Sequence, residues 1–198
     1  DRIFTDRAAV QVVRENGKVS ITDNRGDKSV FDKVIIATHA DQALTMLEKP
    51  TENEYRLLKE FKYQKNITTL HTDDACMPRT RRAWASWNYR MDEQPNGNLE
   101  AHTIYWMNSL QQVSKKTNYF VSINGAEHIS PDRVVRRMTY EHPIFSVDAM
   151  KAQTALPSLN TAGPVYFCGS YFRYGFHEDA LMSALALCRQ ITGEAIWV

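Results

Sequence analysis

Apolar and polar residues alternate along the first quarter of the chain in a way that predicts strands. Ala8 to Val13 is β-prone, Glu15-Asn16-Gly17-Lys18 supplies a turn, and Val19 to Thr22 alternates as a half-buried strand does. After a polar loop at Asn24 to Asp27, the pattern from Val30 to Ala37 predicts one further strand. It ends in a nearly continuous β-branched run, as a strand buried on both faces does. Asp41 to Leu47 reads as a short helix stopped by Pro50. Thr51 to Phe61 reads as another, with Thr51 as its cap and acids in its first turn.

The middle of the chain changes character. Asn66 to Thr72, Ala83 to Tyr89, His102 to Met107 and Tyr119 to Ile123 read as strands of an antiparallel meander. Loops containing Pro78, Pro95, Gly97 and Gly125 separate them, and a helical turn fits Asn108 to Val113. Pro131 to Met138 reads as helical, since Ser130 can cap it and proline suits a first helical position. Val147 to Leu156 is a further helix, ended by Pro157. At the end, Pro164 to Cys168 forms a buried strand that stops at Gly169-Ser170. His177 to Ile191 follows as a helix with Leu181, Ala184, Leu185, Cys188 and Ile191 on one face, and Gly193 ends it. These elements make an α+β arrangement.

Composition narrows the partners. With 24 Lys and Arg against 23 Asp and Glu, net charge is +1 and no basic stripe is visible, so nucleic acid is excluded as a partner. The longest apolar run, Ala180 to Cys188, is too short to span a bilayer. The three cysteines, Cys76, Cys168 and Cys188, are widely spaced and form no CxxC pair. That favours a reducing, cytoplasmic setting, with Cys168 and Cys188 as small buried hydrophobes. His39, His71, His102 and His142 lie too far apart for a local metal motif, so no metal is assigned. The chain opens on Asp1 and soon runs as a strand, which reads as a piece of a longer protein whose unpaired strand edges promote self-association.

Two stretches carry candidate chemistry. Gly169 to Ala180 joins a buried strand to a helix, and the first amides of a helix have no partner inside it, so such a turn suits an anion or a carbonyl edge. Trp84, Trp87, Tyr89, Tyr105 and Trp106 cluster within the meander. They read either as core packing or as the lining of a substrate cavity, with Asn88 or Asn108 as polar handles. Alternation puts Trp87 and Tyr89 on one face, and Trp84 with Asn88 on the other.

Gly175-Phe176-His177-Glu178-Asp179-Ala180-Leu181, followed by Ser183-Ala184, resembles the C-terminal flavin motif of the flavin-containing amine oxidase superfamily. More narrowly it resembles the predicted NAD/FAD-binding oxidoreductases associated with cyclopropane-fatty-acid synthases. Ala37-Thr38-His39-Ala40-Asp41-Gln42-Ala43-Leu44, Trp84 to Tyr89, Tyr105 to Gln111 and Tyr140-Glu141-His142-Pro143 resemble the same group, in the same order, over roughly residues 8 to 192.

The resemblance implies FAD as cofactor. It places the backbone of Val10 at the adenine and Gly169 and Ser170 near the ribityl–pyrophosphate portion. Gly175 lets a flat ring approach, the backbone of Phe176 and His177 meets the ring's pyrimidine edge, and Glu178 opens the helix. It assigns the His177 backbone rather than the imidazole, and no catalytic residue is identified. Dinucleotide binding also needs a GxGxxG turn, and none of the eight glycines forms a GxG pair. In the family that loop precedes the region matched here, so this piece alone is expected to hold FAD poorly.

Residues 1–47 and 160–198 are then expected to belong to an FAD-binding domain, and 48–159 to a substrate domain on an antiparallel sheet. Trp87, Tyr89, Tyr105 and Trp106 are the candidate substrate contacts. The implied activity is hydride transfer between flavin and a small-molecule substrate, either an amine or a lipid or acyl compound. The alternative is a non-catalytic interaction module or an inactive fragment.

Overall fold

The structure is a computed structural model that describes residues 3–93, 97–161 and 163–194. It divides into two compact units, residues 1–64 with 143–198, and residues 65–142. Residues 48–64 and 143–159, placed with the substrate domain in the sequence-based division, pack within the first unit.

In the first unit, β1 (Ala9–Glu15), β2 (Lys18–Asp23) and β3 (Lys28–Phe31) form an antiparallel three-stranded sheet in that order. The β1–β2 turn works because Asn16 and Gly17 both take positive φ, 50° and 76°, the signature of a tight hairpin. The ladder slips once: Ala9 faces Asp23 and Gln11 faces Thr22, so Val10 is a bulge with no residue opposite it.

The apolar run from Val30 to Ala37 is not one strand. Asp32 and Lys33 break it, so that β3 lies on the hairpin sheet and β4 (Val34–Ile36) pairs in parallel with β10 (Val165–Phe167). Val30 and Phe31 consequently sit at the surface, 60% and 45% exposed. Within the run, β4 buries Val34 and Ile36 on one face and leaves Ile35 46% exposed on the other, whereas β10 is buried on both.

Helices α1 (Ala40–Met46), α2 (Glu52–Leu58), α4 (Val147–Gln153) and α5 (His177–Thr192) complete this unit. α2 begins with a capping box, Thr51 Oγ1 accepting from the Glu54 amide and Glu54 accepting from the Thr51 amide. The core joins Val12, Val19, Ile36, Leu57, Phe61, Leu156 and Phe167. α5 packs Ala184, Leu187 and Ile191 against Tyr166 and Cys168, a spacing of three and four residues, and leaves Leu181 exposed. Gly193 ends the helix at φ 75°.

The second unit is built on a five-stranded sheet in the order β6-β7-β8-β5-β9. Its strands are β5 (Lys62–His71), β6 (Trp87–Glu93), β7 (Leu99–Trp106), β8 (Phe120–Ile123) and β9 (Val134–Ile144). β6–β7–β8 is the antiparallel meander, with α3 (Met107–Gln111) after β7, and β5 lies antiparallel beside β8. Only Pro131–Arg133 of the helix predicted over 131 to 138 is helical, a single 3₁₀ turn. Val134, Val135, Thr139 and Tyr140 favour extended backbone, and β9 is an edge strand, the position in a sheet that tolerates a proline such as Pro143. Cys76, Met77, Ile104 and Phe120 form the small core of this unit, with Trp84 and Trp106 packed on it. Among the described residues no helix is long and apolar enough to cross a membrane.

Candidate functional site

Two parallel strands end together in the first unit. β4 leads into Ala37 and Thr38, and β10 leads into Cys168 and Gly169; the Cys168 amide donates to Ile36 O at 3.1 Å. Ligands in α/β sheets bind beyond such carboxyl ends. A cavity of about 660 Å³ runs along β4 from this point. Its walls are largely apolar, with Val10, Val12, Ile21, Ile35 and Met46 among them, while Thr38, Asp41 and Gln42 supply polar groups. The volume falls in the range of small-ligand sites, roughly 300–1,000 Å³.

Val10 enters this cavity as the bulged residue of β1, 49% exposed. A bulge leaves the extra residue outside the ladder, which frees main-chain groups for another partner. Across the cavity, α1 is held by an aromatic cap. The Ala40 amide donates to Tyr63 Oη at 2.9 Å, and the Tyr63 ring stacks on His39 with centroids 4.1 Å apart. Burial pushes the Tyr63 phenol up to about 12, with the Ala40 amide pulling against it, so the cap stays neutral.

The turn before α5 is tightly organised. Gly169 donates its amide to Ser183 Oγ at 2.9 Å, and a Cβ there would come within 2.7 Å of the Tyr171 ring. Ser170–Phe172 forms a 3₁₀ turn, and Ser170 O accepts from the Gly175 amide at 3.1 Å. Gly175 has φ 90°, and a Cβ on it would lie 3.2 Å from Pro143 Cγ and 3.3 Å from the Phe145 ring. The space beside Gly175 is therefore filled by the protein's own side chains.

Asp179, not Glu178, anchors the start of α5. It is 6% exposed, and its Oδ2 accepts from the amides of Tyr174 (3.2 Å) and Phe176 (3.0 Å). Phe176, His177 and Glu178 are exposed, Phe176 at 71%. They stand at the start of a sixteen-residue helix, whose first amides have no partner within the helix. Tyr171, next to Gly169, is 1% exposed, and its hydroxyl makes no hydrogen bond within the protein; burial pushes its ionisation upward.

In the second unit the sheet separates the aromatic candidates. Trp87 pairs with Tyr105 across β6–β7, and Trp87 stacks near Tyr89 with centroids 6.1 Å apart. Trp87 and Tyr89 are 55% and 56% exposed, so this face is open. Trp106 belongs to the other face, edge-on to Trp84 at 5.3 Å, its indole N–H donating to Asn118 Oδ1 at 3.1 Å. Asn88 and Asn108 spend their amides on backbone, Asn88 on Ala85 and Ile104, Asn108 on Ser114, Thr117 and Tyr119.

His71 is fully buried, its Nε2 donating to Ser122 Oγ (2.8 Å) and its Nδ1 accepting from the Asp73 amide. Burial lowers its pKa, with Asp73 opposing, and the ring is held neutral. His142 Nδ1 accepts from Asn66 Nδ2 at 2.8 Å. The polar cavity residues Thr38, Asp41 and Gln42 were not singled out in the sequence reading. Their signal lay in the stretch Ala37 to Leu44, whose placement beyond a β-branched strand is a ligand-binding position.

No family model and no curated protein matches the chain. Solved structures do. A fatty acid isomerase from P. acnes that produces CLA superposes with a TM-score of 0.63 at 11% identity, over 94% of this chain and 47% of that one. Putrescine oxidase bound to putrescine gives 0.63 at 10% identity, over 96% and 49%. Reduced UDP-galactopyranose mutase gives 0.63 at 15% identity, over 99% and 49%. The chain thus has the fold of part of these enzymes and spans about half of their length.

Proposed function

We propose that this chain is one part of an FAD-dependent oxidoreductase of the amine-oxidase-like kind and holds FAD at two places. The observation that carries the reading is the bulge at Val10. It places Val10, the one residue of β1 outside the β1–β2 register, on an apolar cavity at the carboxyl end of a parallel strand pair, and backbone recognition in an apolar slot suits a flat adenine. The fold likeness to an oxidase, an isomerase and a mutase agrees with it.

In this reading Val10 holds the adenine, and Thr38 and Gln42 offer hydrogen bonds at the cavity rim. Gly169 and Ser170 approach the ribityl–pyrophosphate portion. The main chain at Phe176 and His177, with Glu178, faces the pyrimidine edge, where a helix N-terminus stabilises negative charge, the Phe176 amide itself being held by Asp179. Bound flavin supplies the hydride-accepting centre of the reaction. This chain's residues orient it, and the buried Asp179 keeps the turn from loosening by holding two amides. The exposed rings of Trp87 and Tyr89, with the half-buried Tyr105 opposite Trp87, are the proposed apolar contact for a substrate, of lipid or acyl character.

A ¹⁵N amide titration with FAD tests this even for weak binding. Shifts concentrated at Val10, Thr38 and residues 169–178 are expected. No shifts at millimolar FAD, or shifts centred elsewhere, overturn the proposal.

A further inference from the structure

In the second unit, Asp92 on β6 and His102 on β7 share a face, because Arg90 is the residue directly opposite His102 and Asp92 lies two positions along. A 3₁₀ turn, Ala126–His128, follows Gly125 and brings the His128 ring to the same spot, 5.0 Å centroid to centroid from His102. His102 Nε2 is 3.4 Å from Asp92 Oδ2, and His128 Nε2 is 3.9 Å from the same oxygen. The ligand atoms of all three residues lie within 4.8 Å of one another.

We propose that Asp92, His102 and His128 bind a single divalent transition-metal ion of the zinc class, which pins the 125–128 turn to the β6–β7 ladder.

His102 gives the first reason. It is 3% exposed, and neither of its ring nitrogens makes a hydrogen bond. A neutral imidazole carries one donor and one acceptor, and leaving either buried and unused is costly. His102 is also pressed against the chain: a Cβ on Gly125 would lie 2.5 Å from its Nδ1, so a glycine at φ 65° is what admits the ring. This local crowding to seat an unsatisfied ring is explained by a ligand bound there.

Distances give the second. A charge-assisted His–Asp hydrogen bond draws its atoms to about 2.7–2.9 Å. Separations of 3.4 and 3.9 Å are too long for that. The shorter of them suits co-ligands: bond lengths near 2.0–2.2 Å in tetrahedral geometry set ligand atoms about 3.3–3.6 Å apart. His128, partly exposed, has room to close the remaining gap. A small cavity of about 10 Å³ adjoins the two histidines and is lined by His102, His128, Gly125 and Arg90, though not by Asp92.

The surroundings complete the set. Arg90 Nε lies 2.9 Å from Asp92 Oδ1, to which its hydrogen bond is directed, and 2.8 Å from Oδ2. It fixes the carboxylate while Oδ2 keeps a lone pair toward the histidines, as an orienting partner does at a metal site. Glu127 Oε1 lies 3.4 Å from His128 Nε2 and, with Glu100, forms a second acidic pair beside His102. Cys76 also lines the cavity but spends its thiol on Asp73 O, leaving two imidazoles and a carboxylate, a donor set that suits zinc, iron or nickel.

The test uses the full chain without a histidine tag, stripped with chelator and titrated with zinc chloride by calorimetry and with cobalt(II) by visible absorption. One equivalent should bind. His128→Ala and Asp92→Asn should each weaken zinc at least about 100-fold, more than loss of an orienting partner costs. Circular dichroism should show His128→Ala still folded, and His142→Ala, at an exposed histidine of β9, should bind as the parent does. Absence of stoichiometric binding by the parent chain overturns the proposal, and so does binding by folded His128→Ala at unchanged affinity.

Discussion

Asn160 and Phe167 exchange two hydrogen bonds: Asn160 Nδ2 donates to Phe167 O and Asn160 Oδ1 accepts from Phe167 N, both at 2.8 Å. The side chain stands in for a neighbouring strand along β10. Asn160 is itself 5% exposed, and its carbonyl accepts from Gln190 of α5. Replacing it with alanine leaves two buried main-chain groups unsatisfied, at about 1–3 kcal/mol each. Asn160→Ala should therefore lower stability by about 2–5 kcal/mol, read as a lower denaturant midpoint. A change below about 0.5 kcal/mol would mean that solvent reaches this edge.

The far edge of β4 has no such cover. Among the described residues β4 pairs only with β10 in its sheet, and Ile35 is 46% exposed. Open edges with apolar neighbours recruit other chains. Light scattering should show the apparent mass rising with concentration, and Ile35→Lys should reduce that rise. A strictly monomeric chain at all concentrations removes this expectation.

Thiol chemistry follows burial. Burial, with Asp73 adding to it, pushes the Cys76 thiol up to about 12, and burial also raises Cys168. Both stay protonated at neutral pH, and the thiolate is the reactive form. Cys188 is only partly buried, on α5. Alkylation of the native chain should modify Cys188 first, with Cys76 and Cys168 reacting only on unfolding. Rapid native modification of Cys76 would show that its segment opens.

Asp23 predicts a pH dependence. Burial works to raise its pKa, but the Arg7 hydrogen bond and the amides of Arg25 and Asp27 outweigh that and hold it below its ordinary 3.8. A carboxyl whose folded pKa is depressed stabilises the fold above its unfolded value, and that stability is lost as pH falls through the folded one. Asp23→Asn should therefore be less stable than the parent at neutral pH, with the gap narrowing below about pH 4. A gap that stays constant through this range would rule out the linkage.

Local chemistry made some of this fold readable in the sequence. Asn16-Gly17 can only be a tight reversal, and Gly193 closes a helix whose period is plain. What stayed hidden depends on partners far along the chain. Asp32-Lys33 splits an apolar run because β3 and β4 join different sheets. Val134 to Ile144 becomes a strand because β5 offers it an edge. The bulge at Val10 is a matter of register, which only the β2 partner sets. The grouping of Asp92, His102 and His128 likewise needs two strands and a turn to meet.

The turn before α5 separates two roles by mutation. Gly175 sits at φ 90° with Pro143 and Phe145 closing the space a side chain would need. Gly175→Val combines backbone strain with a steric clash, each of order 1–3 kcal/mol. It should destabilise the first unit measurably and disturb any flavin contact only through that. His177 is exposed, so His177→Ala should change stability by less than about 0.5 kcal/mol. If only its amide is used, the FAD-induced shifts at residues 169–178 should survive the substitution, and turnover in an enzyme containing this part should fall only modestly. An acid–base role for the imidazole would be worth about 100- to 10,000-fold in rate. Normal flavin binding with a thousandfold loss of turnover in His177→Ala would therefore transfer the chemistry from the backbone to the ring.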